Sequence, residues 1–208
     1  MILSLEEVKA NVVGNPDMDS ANDAFLTSLI ESAQNRIEAF CYQPVVETVK
    51  TISITPTRPY RTSDYLVPFM SVPVELQQMW YKKDPFEEWV VVEEENYRLF
   101  KEGNLYTLYT NALNEVARGE GFDVDYWFSF QFLVGFEEEE IPEVIRQVAR
   151  EMVFYMFMNS PLATGERRAG VDSISKNEST HSLTTRFKKM EKEWSSMLMP
   201  YKKLTLTV

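Results

Sequence analysis

Between Ser20 and Cys41 the apolar residues fall three and four apart. Phe25, Leu26, Leu29, Ile30, Ala33, Ile37 and Phe40 therefore share one side of a helix, and Glu31, Gln34, Asn35 and Glu38 take the other. Asp19 or Ser20 supplies the N-cap oxygen. Upstream, Ser4 and Glu7 have the spacing of a capping box, in which the hydroxyl accepts a helix N–H and the carboxylate reaches back to the cap. This predicts a first helix over Leu5–Asn11, closed by the turn formers Gly14, Asn15 and Pro16.

Beyond Pro44 the period changes to two. Val45, Val49, Ile52 and Ile54 sit in a β-branched run that Pro56 and Pro59 interrupt. Further extended segments are predicted at Tyr65–Met70, Val74–Tyr81, Trp89–Val92, Tyr97–Phe100, Leu105–Tyr109 and Val124–Val134, with a tight turn at Gly103-Asn104. Together they describe an antiparallel sheet or a small barrel. Tyr126, Trp127, Phe128, Phe130 and Phe132 are a stacking surface by composition, but no Lys or Arg is interleaved with them. That pattern reads as core and subunit interface rather than a nucleic-acid platform.

A third regime opens at Ile141-Pro142, where proline in the first turn and the preceding Glu137–Glu140 carboxylates both favour a helix start. Val144, Ile145, Val148, Ala149 and Met152 give it one apolar face; from Met152 to Met158 it is apolar all round. Such a segment must be covered on every side, by its own sheet or by another chain. Pro161 ends the helix, and Leu162–His181 is polar, with basic Arg167, Arg168 and Lys176. A last helix of about Leu183–Met199 carries Phe187, Met190, Trp194 and Leu198, and the alternating tail around Leu204 and Leu206 reads as an edge strand free to pair with another sheet. The fold class is α+β: a helical pair over 1–43, a β-rich insertion over 44–136, a core helix over 137–160 packing with 1–43, a flexible loop over 161–181, and a C-terminal helix and tail strand over 182–208.

Composition narrows the function. A chain of 208 residues buries roughly 70% of its unfolded surface, enough for a substantial core. No signal-peptide pattern is present, nor any apolar run approaching ~20 residues, so a cytoplasmic protein or a particle assembled in the cytoplasm is expected, without a membrane partner. The net charge of -11 conceals a division: residues 1–140 hold 10 basic and 25 acidic side chains, residues 141–208 hold 11 and 7. Opposite signs can steer copies together, and the acidic majority argues against sequence-specific DNA binding.

Candidate chemistry is sparse. The single cysteine, Cys41, excludes an internal disulfide and a multi-cysteine zinc site, and its place on an apolar helix face reads as packing. The single histidine, His181, has no sequence-evident orienting partner for a dyad with Cys41. The runs Glu93–Glu95 and Glu137–Glu140 lack the spacing of a calcium loop and read as solvated surface. Asn177-Glu178-Ser179 is a formal glycosylation acceptor without a secretory context. No phosphate-binding glycine loop, nucleophile elbow or His-Glu-x-x-His element occurs. No catalytic, cofactor or metal residue is assigned, and an enzyme is not expected.

The order of the landmarks carries a resemblance. Leu3-Ser-Leu-Glu-Glu-Val-Lys-Ala10, Asp23-Ala-Phe-Leu-Thr-Ser-Leu-Ile30 and Arg36-Ile-Glu-Ala-Phe40 are similar to the opening helices of tailed-bacteriophage head-tail connector proteins, also called head-completion or adaptor proteins. Ile141-Pro-Glu-Val-Ile-Arg-Gln-Val-Ala149 resembles that family's later helix, and Leu198-Met-Pro-Tyr-Lys-Lys-Leu204 its closing signature. The resemblance implies a virion neck protein. Identical copies, commonly twelve, would form a ring under the portal protein, present a surface to the next neck or tail-completion protein, and let double-stranded DNA pass through the lumen. On that reading Phe154, Phe157, Met158, Arg167, Arg168, Lys176, Leu204 and Leu206 are the candidate partner and subunit contacts. The alternative is a stand-alone cytoplasmic protein-binding module that forms no ring.

Overall fold

The computed structural model describes residues 1–16, 18–57, 64–110, 126–160 and 179–203; at 54–57, 64–66, 110, 126 and 179–188 it describes the backbone alone. The chain divides into two compact units, one built from Met1–Val45 and Glu137–Lys202, the other from Val46–Phe136.

The first unit is helical. Helix α1 starts at Leu5–Glu7 and continues as a π-helix over Val8–Val13, two residues beyond the predicted end. Gly14 closes it in the left-handed conformation (φ 73°), with its N–H on the Lys9 carbonyl. Ser4 caps the start as expected, its Oγ accepting the Glu7 N–H at 3.1 Å. The return half of the capping box is replaced: the Glu7 carboxylate turns to Arg150 and Arg146, because two cations on a neighbouring helix outcompete one backbone N–H.

Helix α2 (Asp23–Cys41) follows a 3-10 turn, Ser20–Asn22, capped by Asp19 through the Ala21 N–H at 2.9 Å. It buries Leu26, Ile30, Ala33, Ile37 and Cys41 at the spacing its sequence sets. Helix α3 (Glu143–Met158) packs on α2 and α1 through Ile145, Val148, Ala149, Val153 and Phe157. Helix α4 (Ser179–Leu198) packs on α3 and α2 and buries Trp194 and Leu198. Its start lies four residues before the predicted Leu183, so Ser179–His181 belong to the helix and not to the polar loop. Serine, threonine and histidine have modest helix propensities that tertiary context overrides.

The second unit is all β. Strands β1 (Thr48–Thr57), β7 (Tyr126–Val134), β3 (Val74–Lys82) and β4 (Val90–Val91) form one antiparallel sheet in that order. Strands β2 (Asp64–Met70), β6 (Leu105–Thr110) and β5 (Tyr97–Glu102) form a second. Two open sheets thus replace the single sheet or closed barrel of the sequence reading. Pro56 does not end β1, which runs on to Thr57 through a register shift between Ile54 and Thr57. Pro68 sits likewise in the shift between Leu66 and Met70 of β2. Both strands are edges in their sheets, where a missing N–H removes no ladder bond.

The aromatic alternation of β7 builds this unit's core. Phe128, Phe130 and Phe132 stack along one face with centroids 6.4 and 6.1 Å apart, and Phe69 of β2 meets Phe132 edge-on at 6.0 Å. Val67, Met79, Tyr97, Tyr106 and Leu108 complete the cluster. Each buried side chain of this size contributes roughly 1.5–3 kcal/mol.

Candidate functional site

The expected contact residues separate sharply once placed. Phe157 is 6% exposed and belongs to the core of the helical unit, so it is not available as a surface contact. Phe154, three residues earlier and on another face of α3, is 42% exposed. It lines a recess of about 340 Å³ with Asn11, Val12, Gln147, Arg150 and Glu151. Met158 is half-buried. Arg167, Arg168, Lys176, Leu204 and Leu206 lie outside the described residues. The all-round apolar stretch of α3 is therefore covered largely by helices of its own unit: Val153 is buried as well, and Met152, Tyr155 and Met156 are half-buried.

A charge network fixes α1 on α3. Arg150 donates to Glu7 Oε1 at 2.9 Å and to the Glu143 carboxylate, and Arg146 lies 3.6 Å from Glu7 Oε2. Arg146 also donates to the carbonyls of Ile2, at 3.3 Å, and Glu138. The Glu143 carboxylate, seconded by Glu7, holds the Arg150 pKa above its ordinary value. Lys9 and Asp23 pair at 2.5 Å between α1 and α2.

The segment Met199–Lys202 clasps the end of α2. Gln43 is buried and donates through Nε2 to the Tyr201 carbonyl at 2.7 Å, while Lys202 Nζ lies over Phe40 at 5.0 Å and over Tyr42 at 5.3 Å. Tyr42 takes the left-handed conformation that stops the helix, φ 56°. The Leu198-to-Leu204 motif thus acts, over its described part, as the closing latch of the helical unit.

Cys41 is fully buried, and that burial, with Glu38 nearby, pushes its thiol up to about 11 against the pull of Lys202. A thiol so held supplies no thiolate nucleophile near neutral pH. The His181 side chain lies outside the described set. Glu137–Glu140 are exposed, with Glu138–Glu140 forming a 3-10 turn ahead of α3. Glu93, Glu94 and Glu95 line a depression of about 830 Å³ together with Val74, Leu76, Arg98 and Leu99. Burial, then Glu94, raises the Tyr97 phenol there. Among the described residues no group of three or more His, Cys, Asp or Glu is placed to hold a metal ion. No helix of the described residues is long and apolar enough to cross a membrane.

Sequence reasoning passed over the β3–β4 hairpin. Lys83–Trp89 projects Phe86 at 96% exposure, beside exposed Trp89, Val90 and Val91. Asp84-Pro85 signals the turn, but nothing local announces that the phenylalanine after it stays in water.

No family model matches the sequence, and no curated protein matches it. Solved structures do share the fold. A chain in the neck of an empty gene transfer agent (GTA) particle, computed with C6 symmetry, aligns with 99% of this chain and 91% of its own at a TM-score of 0.59 and 12% identity. A chain in the virion of the native GTA particle aligns over the same shares at 0.57 and 12%.

Proposed function

We propose that this chain is a structural neck protein, a head-tail connector whose copies form a ring beneath the portal, join capsid to tail and let the genome pass through the lumen. The observation that carries the reading is the whole-chain likeness to a neck subunit of the GTA particle: 99% of one chain and 91% of the other superimpose, so both units are involved and not one common module. The ordered connector-like motifs, from Leu3 to Leu204, support it from the sequence alone. A ring of twelve is compatible with the sixfold symmetry used for that neck.

The role is structural rather than catalytic. The only thiol is buried with a raised pKa, and the ordered charges of the helical unit are spent on bracing helices. The acidic character of residues 1–140 suits a passage through which a polyanion must slide without sticking.

Electron microscopy and sedimentation of the full chain, alone and mixed with its portal, test this. Closed rings docked on the portal are the expected result. A chain that stays monomeric at every concentration with portal present overturns it and favours a stand-alone binding module.

A further inference from the structure

Two strand edges of the β unit face one depression. It measures about 830 Å³ and is lined by Val74, Glu75 and Leu76 of β3, by Tyr97, Arg98 and Leu99 of β5, and by Glu93, Glu94 and Glu95 from the link between β4 and β5. Successive residues of a strand point to opposite faces, so three in a row border one hollow only along the strand's edge. No residue of β7 or β6 lines it, and the two edges are therefore those turned away from these neighbours. On that side, among the described residues, β3 pairs with β4 only at Trp80 and Tyr81, and the Val92 N–H donates to the Met79 carbonyl at 2.9 Å. Residues 74–78, the first five of β3, are left without a strand beside them.

An open edge accepts an added strand through backbone hydrogen bonds, and the side chains around it decide which strand fits. Val74, Leu76 and Leu99 offer apolar lining to alternate apolar side chains. The carboxylates of Glu75, Glu93, Glu94 and Glu95 make no ion pair among the described residues and outnumber Arg98. Further along β5, Lys101 is held over Tyr106 at 5.4 Å and is followed by Glu102, so the acidic excess stands. An acidic strand is repelled here. Lys203-Leu-Thr-Leu-Thr-Val208 has a lysine and no Asp or Glu, and it alternates Leu204, Leu206 and Val208 with Thr205 and Thr207. Its five alternating residues equal the open length of β3.

We infer that residues 204–208 of one copy add as a strand to the open edge of β3 in the next copy, with Leu204 and Leu206 seated against Val74, Leu76 and Leu99. The inference rests on the ring reading, which supplies the second copy, and names a contact that closes the ring. Because donor strand and acceptor edge differ, the contact is heterologous, the kind that closes when its rotation divides a full turn.

The test uses the full chain carrying Glu75→Cys with either Thr205→Cys or Thr207→Cys, oxidised under conditions in which the parent forms rings. Glu75 is exposed and alternates with Leu76 as the threonines do with the leucines, and the two pairs sample registers two residues apart. Cys41, the only cysteine in the sequence, is fully buried and does not compete. A ladder of disulfide-linked oligomers from one of the pairs is expected, since a single new cysteine links at most two chains. Thr205→Pro together with Leu206→Pro removes one N–H from each edge of the donor strand. That chain should need at least a tenfold higher concentration to assemble, with thermal unfolding unchanged. Parent rings with no ladder, together with normal assembly of the double-proline chain, overturn the proposal and leave the ring reading standing. A disulfide closed within single chains overturns it too, by returning the strand to its own copy. A parent chain that never assembles, even with portal, overturns both.

Discussion

Arg150 Nη1 lies 2.9 Å from Glu7 Oε1, and this pairing ties α1 to α3 across 143 positions of sequence. Both side chains are mostly shielded, and Glu143 holds the same guanidinium from the other side. Arg150→Met should destabilise the helical unit by roughly 1–3 kcal/mol, the range for hydrogen bonds to charged groups, with Arg146 retaining part of the hold on Glu7. The sign of its pH dependence follows from the raised pKa. A cation whose folded pKa lies above its unfolded value contributes fully below the unfolded value, and loses that contribution only as pH climbs through the guanidinium range. Urea midpoints of parent and variant should therefore differ by the same amount at pH 7 and pH 10.

Cys41 gives the opposite case, a pH limb within reach. Its thiol is raised from 9.0 to about 11, first by burial and then by Glu38. The neutral thiol's contribution is present in full below pH 9 and is lost as pH rises from 9 through about 11, a loss on the order of 2–3 kcal/mol. Cys41→Ala should leave a small cavity penalty at neutral pH but show a shallower decline of unfolding free energy between pH 9 and 11. Equal slopes for parent and variant would remove the thiol from the account. In the folded parent, Cys41 should also resist a thiol-specific reagent until urea unfolds the chain.

Gly135 and Gly103 separate clash from strain. Both have positive φ, 114° and 59°, but a Cβ on Gly135 would stand 2.5 Å from the Val46 carbonyl carbon and 2.7 Å from the Glu47 nitrogen, while one on Gly103 meets nothing within 4 Å. The close approach is where the chain enters β1: Glu47 N–H donates to the Phe136 carbonyl at 3.0 Å, and Gly135 N–H to the Pro73 carbonyl at 3.0 Å. Gly135→Ala should cost about 2–4 kcal/mol, and Gly103→Ala about 1 kcal/mol. Thermal unfolding of the two variants side by side checks the order.

The sequence made some of this legible and concealed the rest for identifiable reasons. Helix α2 was readable because its stripe from Leu26 to Cys41 keeps one face throughout, and β7 because Phe128, Phe130 and Phe132 alternate with Trp127, Ser129 and Gln131. Period two assigns faces but not neighbours, so the placement of β7 between β1 and β3 was not available. Pro56 reads as a break because its tolerance depends on lying in an edge strand, a property of the assembled sheet. The run Met152–Met158 offered no polar residue to mark an outward side, and only packing distinguishes Phe157 from Phe154. The hairpin tip at Phe86 was hidden for the same reason: exposure is tertiary information.

That distinction between Phe154 and Phe157 sets the last prediction. An aspartate at 157 would place an unpaired charge in the core of the helical unit, where desolvation is uncompensated, so Phe157→Asp should lose several kcal/mol and reduce the yield of folded protein. At 154 the side chain is 42% exposed, beside a recess shared with Asn11, Gln147 and Glu151, so a new carboxylate keeps access to water. Phe154→Asp should keep its unfolding midpoint within about 1 kcal/mol of the parent. Any loss of rings or of portal binding in that variant then reports on assembly rather than on folding. Circular dichroism melts paired with sedimentation separate the two outcomes, and an equally unfolded Phe154→Asp chain would show that α3 is covered more completely than its exposure indicates.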